Sequence, residues 1–182
     1  MRIFYDTEFH DDGTTIDLIS IGMVREDGTE LYAVSSEFDQ AAVRRHGWLM
    51  ANVWPTLPTI EPARGERGLT RLDLAHPDVR PRAQIARLVA DFIRSTPNPE
   101  LWAYYSAYDH VALAQLFGPM SNLPAVGIPM QTDDLVTAAK LAGLTPHDLP
   151  KQADGHHNAL ADARHNLVMA RHIDTVTSRT TR

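Results

Sequence analysis

The sequence has 182 residues, 43% of them hydrophobic, which is the size and apolar content of one globular domain around one core. It contains no cysteine, so disulfides, thiolate catalysis and cysteine-held zinc or iron are excluded, and any metal must sit on oxygen or imidazole ligands. A net charge of −6 speaks against a broad electrostatic grip on nucleic acid, unless clustered acids hold divalent cations that reverse the local field. No apolar run approaches the roughly 18 residues of a membrane span and the opening residues lack a secretory pattern, so a soluble, cytoplasmic protein is expected.

The elements read in chain order as follows. Arg2 to Phe9 is aromatic and β-branched and is predicted to be a strand. Ile16 to Arg25 is a second, with Ile19, Ile21 and Met23 in alternation. Glu26-Asp27-Gly28-Thr29 carries an Asp-Gly turn signal and Leu31 to Val34 resumes the apolar pattern, so the three strands should form one sheet. From Asp39 to about Trp54 the pattern is helical, and the Pro- and Arg-rich stretch from Pro55 to Pro81 is expected to be a long loop. Six arginines between Arg64 and Arg87 either make a local basic region or are scattered on a solvated surface. Pro81 suits a first helical position, and Ile85, Leu88, Val89, Phe92 and Ile93 then recur at helical spacing. Leu101 to Tyr105 reads as a strand, and Ala107 to Phe117, Thr132 to Leu141 and Asn158 to about Thr175 as helices. Strands first, then strands alternating with helices, indicate an α/β domain with a mixed sheet.

Asp6 and Glu8 are two apart on the first predicted strand, so both carboxylates project from one face. Two acids in the apolar heart of a strand are costly unless a hard divalent cation compensates. Alone, Asp-x-Glu is common and more often marks a solvated strand end. Asp109 follows Ser106-Ala107-Tyr108, where Ser106 can cap a helix and Asp109 can take the third position of a capping box. The alternative is that the strand ending near Tyr105 delivers Asp109 to a metal shared with Asp6. His157 and Asp162 are five apart, about 140° around a continuous helix, so they share a site only if the helix starts near Asn158 and His157 lies in the loop before it. An imidazole there titrates near neutral pH and suits the removal of a proton from water. Taken singly, such a His and Asp are more often ordinary surface residues.

Together and in this order, Asp6-Thr7-Glu8, Tyr108-Asp109 and His157-Asn158-Ala159-Leu160-Ala161-Asp162 resemble the DEDDh exonucleases, the superfamily of ribonuclease T and the proofreading exonucleases. The resemblance spans nearly the whole chain. It departs at Tyr104, where family members often carry Asn. The opening Ile3 to Phe9 and the ending His156 to Arg164 look like the mycobacterial polyadenylate-specific exoribonucleases.

This resemblance implies a ribonuclease H-like mixed sheet flanked by helices, as a single domain over residues 1–182. It implies two Mg²⁺ or Mn²⁺ ions per site with Asp6, Glu8, Asp109 and Asp162 as ligands and His157 as general base. It further implies contacts to the terminal nucleotide from the Thr7 backbone and from Phe9, whose ring is equally suited to fill the core. The expected activity is 3′-to-5′ release of nucleoside 5′-monophosphates from single-stranded RNA, including poly(A) tails, by a homodimer. The rivals are a DNA proofreading or repair exonuclease, a non-catalytic nucleic-acid-binding module of the same fold, and an unrelated metal-dependent phosphoesterase. The segment from Trp48 to Arg82 is a candidate dimer face, a substrate wall, or a loop packed on its own domain.

Overall fold

The computed structural model describes residues 1–62, 68 and 70–180. Strands β1 (Arg2–Asp11), β2 (Ile16–Arg25) and β3 (Glu30–Ser35) form an antiparallel meander. The turn between β2 and β3 places Gly28 at φ 87°, a left-handed conformation that glycine adopts without a Cβ penalty. Next come α1 (Gln40–Arg45), α2 (Gly47–Asn52) and a 3₁₀ turn, Trp54–Thr56. Three two-residue strands, β4 (Thr59–Ile60), β5 (Arg71–Leu72) and β6 (Val79–Arg80), lead into α3 (Arg82–Arg94). The rest is β7 (Glu100–Ala103), α4 (Ser106–Gln115), β8 (Asp133–Asp134), α5 (Leu135–Leu141) and α6 (Ala159–Thr180), with short 3₁₀ turns after α4.

The main sheet runs β6-β3-β2-β1-β7-β8, with β7 parallel to β1 and β8 parallel to β7, while β4 and β5 pair separately. This is the mixed α/β sheet expected from the order of elements. Because β1 is central, both its faces are buried. Ile3 and Tyr5 pack with Ile85, Val89 and Leu113 of α3 and α4, whereas Phe4 packs with Leu135, Ala163 and Leu167 of α5 and α6. Each buried Ile, Val, Leu or Phe among them contributes roughly 1.5–3 kcal/mol relative to exposure. Ile19 and Val34 form a third cluster with Val43 and Trp54. No helix among the described residues is long and apolar enough to cross a membrane.

Several local expectations are corrected. The helix expected over Asp39 to Trp54 breaks at His46, whose extended backbone ends α1 and whose Nδ1 accepts from Leu49 N to start α2. Pro81 is the N-cap of α3, extended at ψ 146°, not its first helical residue. The strand expected to reach Tyr105 ends at Ala103. Helix α5 starts at Leu135, because Asp133 and Asp134 are drawn into pairing with Trp102 and Ala103. Helix α6 runs to Thr180, beyond the expected end near Thr175. Of the six arginines, Arg64 and Arg67 lie outside the described residues, and Arg82 is paired with Asp17. Trp54 is packed in its own domain.

One glycine positions the start of α6. Gly22 lies opposite Asp6 in the β1–β2 register, and a Cβ added there would stand 2.3 Å from the backbone of Ala159 and Leu160. The first turn of α6 therefore rests directly on the sheet. Gly22→Ala must push that turn away and is expected to cost about 1–3 kcal/mol of stability. Thermal unfolding of the variant checks this; an unchanged melting temperature would contradict so close an approach.

Candidate active site

Asp6 and Glu8 leave β1 on the face that carries α6, just before a β-bulge between Glu8 and Phe9. Thr7, between them, points the other way and is buried. Its N–H and its hydroxyl both donate to Asp109 Oδ1, at 2.9 and 2.6 Å, which fixes the first turn of α4 against β1. Of the Thr7 backbone, which the resemblance sets against a terminal nucleotide, the N–H is thus engaged by a carboxylate.

Ser106 does not cap α4. Tyr105 precedes the helix in the left-handed region, φ 58°, and the Ser106 N–H donates instead to Asp134 Oδ2 at 3.0 Å. Asp134 Oδ1 accepts from Thr137 N at 2.7 Å, so one carboxylate delivered by β8 caps both α4 and α5. Burial opposes its ionisation, yet the donors from Ser106 and Thr137 hold its pKa below the usual range.

Helix α6 starts after Asn158, whose Oδ1 accepts from Ala161 N at 3.1 Å, and this leaves His157 in the preceding loop. His157 is held at φ 63°, an uncommon conformation for a non-glycine residue. Its N–H donates to Asp162 Oδ2 at 2.9 Å and its carbonyl accepts from Thr56 Oγ1 at 2.8 Å. Gln152 Nε2 donates to Asp162 Oδ1 at 2.6 Å, so both oxygens of that carboxylate are oriented by the loop. Deeper in, Asn166 Nδ2 donates to the Tyr5 carbonyl at 2.9 Å and ties α6 to β1.

These constraints bring all five acid–base candidates to one cleft of about 290 Å³. Possible ligand atoms of Glu8, His157 and Asp162 lie within 4.8 Å of one another. Asp6 and Asp109 line the same cleft outside that tight group. Burial, reinforced by Asp109, Glu8 and Asp162, pushes Asp6 well above the usual carboxylate range. Burial first, then Asp162 and Asp109, pushes Glu8 up to about 8. Burial likewise raises Asp109 to about 6, against the donors of Thr7. Carboxylates that resist ionisation for want of positive charge, beside an imidazole, are a donor set that fits a hard divalent cation such as Mg²⁺ or Mn²⁺.

The same crowding makes the metal-free protein pH-sensitive. With folded-state values of about 8 for Glu8 and about 6 for Asp109, the native chain keeps protons that the unfolded chain has released. Stability should therefore fall as pH rises from about 4 to about 8. Denaturant titrations in chelator across that range check the sign, and a rise in stability would contradict it.

Aromatic rings wall the cleft. Phe9 and Tyr108 stack at 6.2 Å between centroids and 20° between planes, and Trp48 meets His157 edge-on at 4.8 Å. Trp48 and Tyr108 are about half exposed, at 51% and 57%, and both line the cleft. Of the Trp48–Arg82 candidates, Trp48 therefore stands at the cleft. Gln152, Asn166 and Asp134 were not legible in the sequence, because a single amide or acid outside a spaced motif carries no signal of what it will bond.

The family model described as the 3′-5′ exoribonuclease Rv2179c-like domain matches residues 1–174. The chain is 44% identical over 169 residues to the 3′-5′ exoribonuclease Rv2179c of Mycobacterium tuberculosis strain ATCC 25618 / H37Rv, over 92% of this chain and 89% of the relative. The same figures hold for the 3′-5′ exoribonuclease MT2234.1 of strain CDC 1551 / Oshkosh. Among solved structures, the metal-free form of the E. coli ExoI–ssDNA complex superposes with a TM-score of 0.57 at 17% identity, over 98% of this chain. The chain spans 40% of the length of that structure's chain, and the likeness is one of fold.

Proposed function

Since the chain belongs to the Rv2179c-like family of 3′-5′ exoribonuclease domains, we propose that it removes nucleoside 5′-monophosphates one at a time from single-stranded RNA 3′ ends. The observation that carries this reading is the convergence of Asp6, Glu8, Asp109, Asp162 and His157 on one aromatic-walled cleft. Two divalent cations held by the four carboxylates would supply Lewis-acid stabilisation of the phosphoryl charge and a hydroxide near neutral pH.

The chain's own residues do the rest. His157, kept beside Glu8 and Asp162 by its backbone bonds and by Trp48, accepts the proton of the attacking water at an imidazole nitrogen. Gln152 holds the Asp162 carboxylate, and Thr7 holds Asp109, so that neither must reorganise during the reaction. Phe9 and Tyr108 offer ring faces on which any terminal base can stack. With few basic groups at the cleft, the phosphate depends on the cations, so few nucleotides are engaged at a time. Action on poly(A) tails, as a cytoplasmic homodimer, rests on the resemblance to the mycobacterial enzymes.

A 5′-labelled duplex with a 3′ single-stranded RNA overhang, and the same molecule carrying a 3′-phosphate, test the reading. Mononucleotides should appear from the first, with a stall near the duplex junction, because a paired end cannot reach into the cleft. The second should be cut slowly, as the free 3′-hydroxyl is lost. Internal fragments from both would reveal an endonuclease, and equal cutting of matched DNA would remove the RNA assignment.

A further inference from the structure

A second cavity, of about 390 Å³, adjoins the cleft, and the residues common to the two are Asp6, Tyr104, His157 and Asp162. These are three of the acid–base groups and one tyrosine. The aromatic cleft lies on one side of them. On the other, the second cavity is closed by Pro146, Leu149, Pro150 and Met169, with the Gln152 amide and His165 at its polar edge. Its size falls in the range of small-molecule sites, roughly 300–1,000 Å³.

A phosphodiester under attack carries a nucleoside on each side. If the reacting phosphate lies where both cavities meet, beside Asp6 and Asp162, one nucleoside enters each. Stacking of the terminal base on Phe9 and Tyr108 leaves the second cavity to its neighbour. We propose that this cavity is a subsite for the base of the penultimate nucleotide, with the Tyr104 ring as the wall between the two bases. This assignment rests on the exonuclease reading above.

Two further observations favour it. Tyr104 meets Tyr105 edge-on at 4.7 Å, which braces the ring as a partition. The cavity also continues past Tyr104, Pro146 and Leu149 into a third, largely apolar one of about 230 Å³ that includes Lys140. An upstream strand needs such a continuation, with a cation for its next phosphate, whereas a terminal nucleotide does not.

The test couples a change in the RNA to a change in the protein. Three tetranucleotides are compared: intact, lacking the penultimate base, and lacking the terminal base. For wild-type protein, loss of the penultimate base should raise KM roughly tenfold, the scale of one lost stacking interaction. Pro146→Trp, which narrows the second cavity away from the acids, should raise KM for the intact RNA by a similar factor and leave KM for the RNA without its penultimate base unchanged.

An equal rise for both substrates, or wild-type cutting that ignores the missing base, would overturn the subsite. Coupling of Pro146→Trp to the terminal base instead would overturn the order of the two bases. The wild-type comparison stands even if the variant does not fold. If wild-type protein released nothing from intact RNA, the exonuclease reading itself would fall, an outcome distinct from the others.

Discussion

Asp6→Asn is expected to abolish mononucleotide release while raising the melting temperature of the metal-free protein at pH 8. Asp6 sits in the cleft among Glu8, Asp109 and Asp162, and burial together with those acids lifts its pKa well above the usual range. At pH 8 the wild-type fold must either ionise Asp6 beside the other acids or keep on it a proton that the unfolded chain has released, and both cost stability. An amide of the same shape carries neither cost, so folding without metal becomes easier. Catalysis moves the other way, because the amide is a far poorer ligand and phosphoryl charge loses several kcal/mol of stabilisation, about 10³-fold or more in rate. Parallel melts in chelator and RNA turnover in Mg²⁺ check both halves. Full activity in the folded variant would sink the assignment of the site.

His157→Ala is expected to lower turnover by roughly 10²–10⁴-fold with divalent-cation affinity largely kept, the usual contribution of a positioned acid–base group. The backbone N–H that orients Asp162 survives this substitution, since it belongs to the main chain. Asp162→Ala removes a carboxylate from the tight Glu8–His157–Asp162 group and should weaken cation binding as well. Mn²⁺ titration calorimetry on the two variants separates the roles. Equal loss of Mn²⁺ affinity in both would identify His157 as a ligand instead of a base.

What could be read from sequence was what depends on neighbours along the chain. The meander β1–β3 was legible because alternation and an Asp-Gly turn are local signals, and Asp6 and Glu8 could be set on one face because a strand has period two. Helical geometry made a shared site for His157 and Asp162 conditional on His157 lying in the loop before the helix, since residues five apart do not share a helix face, and the helix does start after it. The order of acids and histidine along the chain carried the family, because chemistry of this kind needs those types in those elements.

Only the tertiary structure decided how the pieces meet. Asp133 and Asp134 become a strand because β7 offers a pairing edge, which overrides the helical pattern continuing from Leu135. Asp134, not Ser106, then caps α4, because a donor-hungry helix end takes whichever acceptor packing brings to it. The break at His46 turns α2 so that Trp48 meets His157, and Gly22 lets α6 lie on β2 so that Asp162 reaches Asp6 and Glu8. Each of these is a contact between residues far apart in the chain, set by packing density and by the need to satisfy buried polar groups, and neither leaves a mark in local sequence.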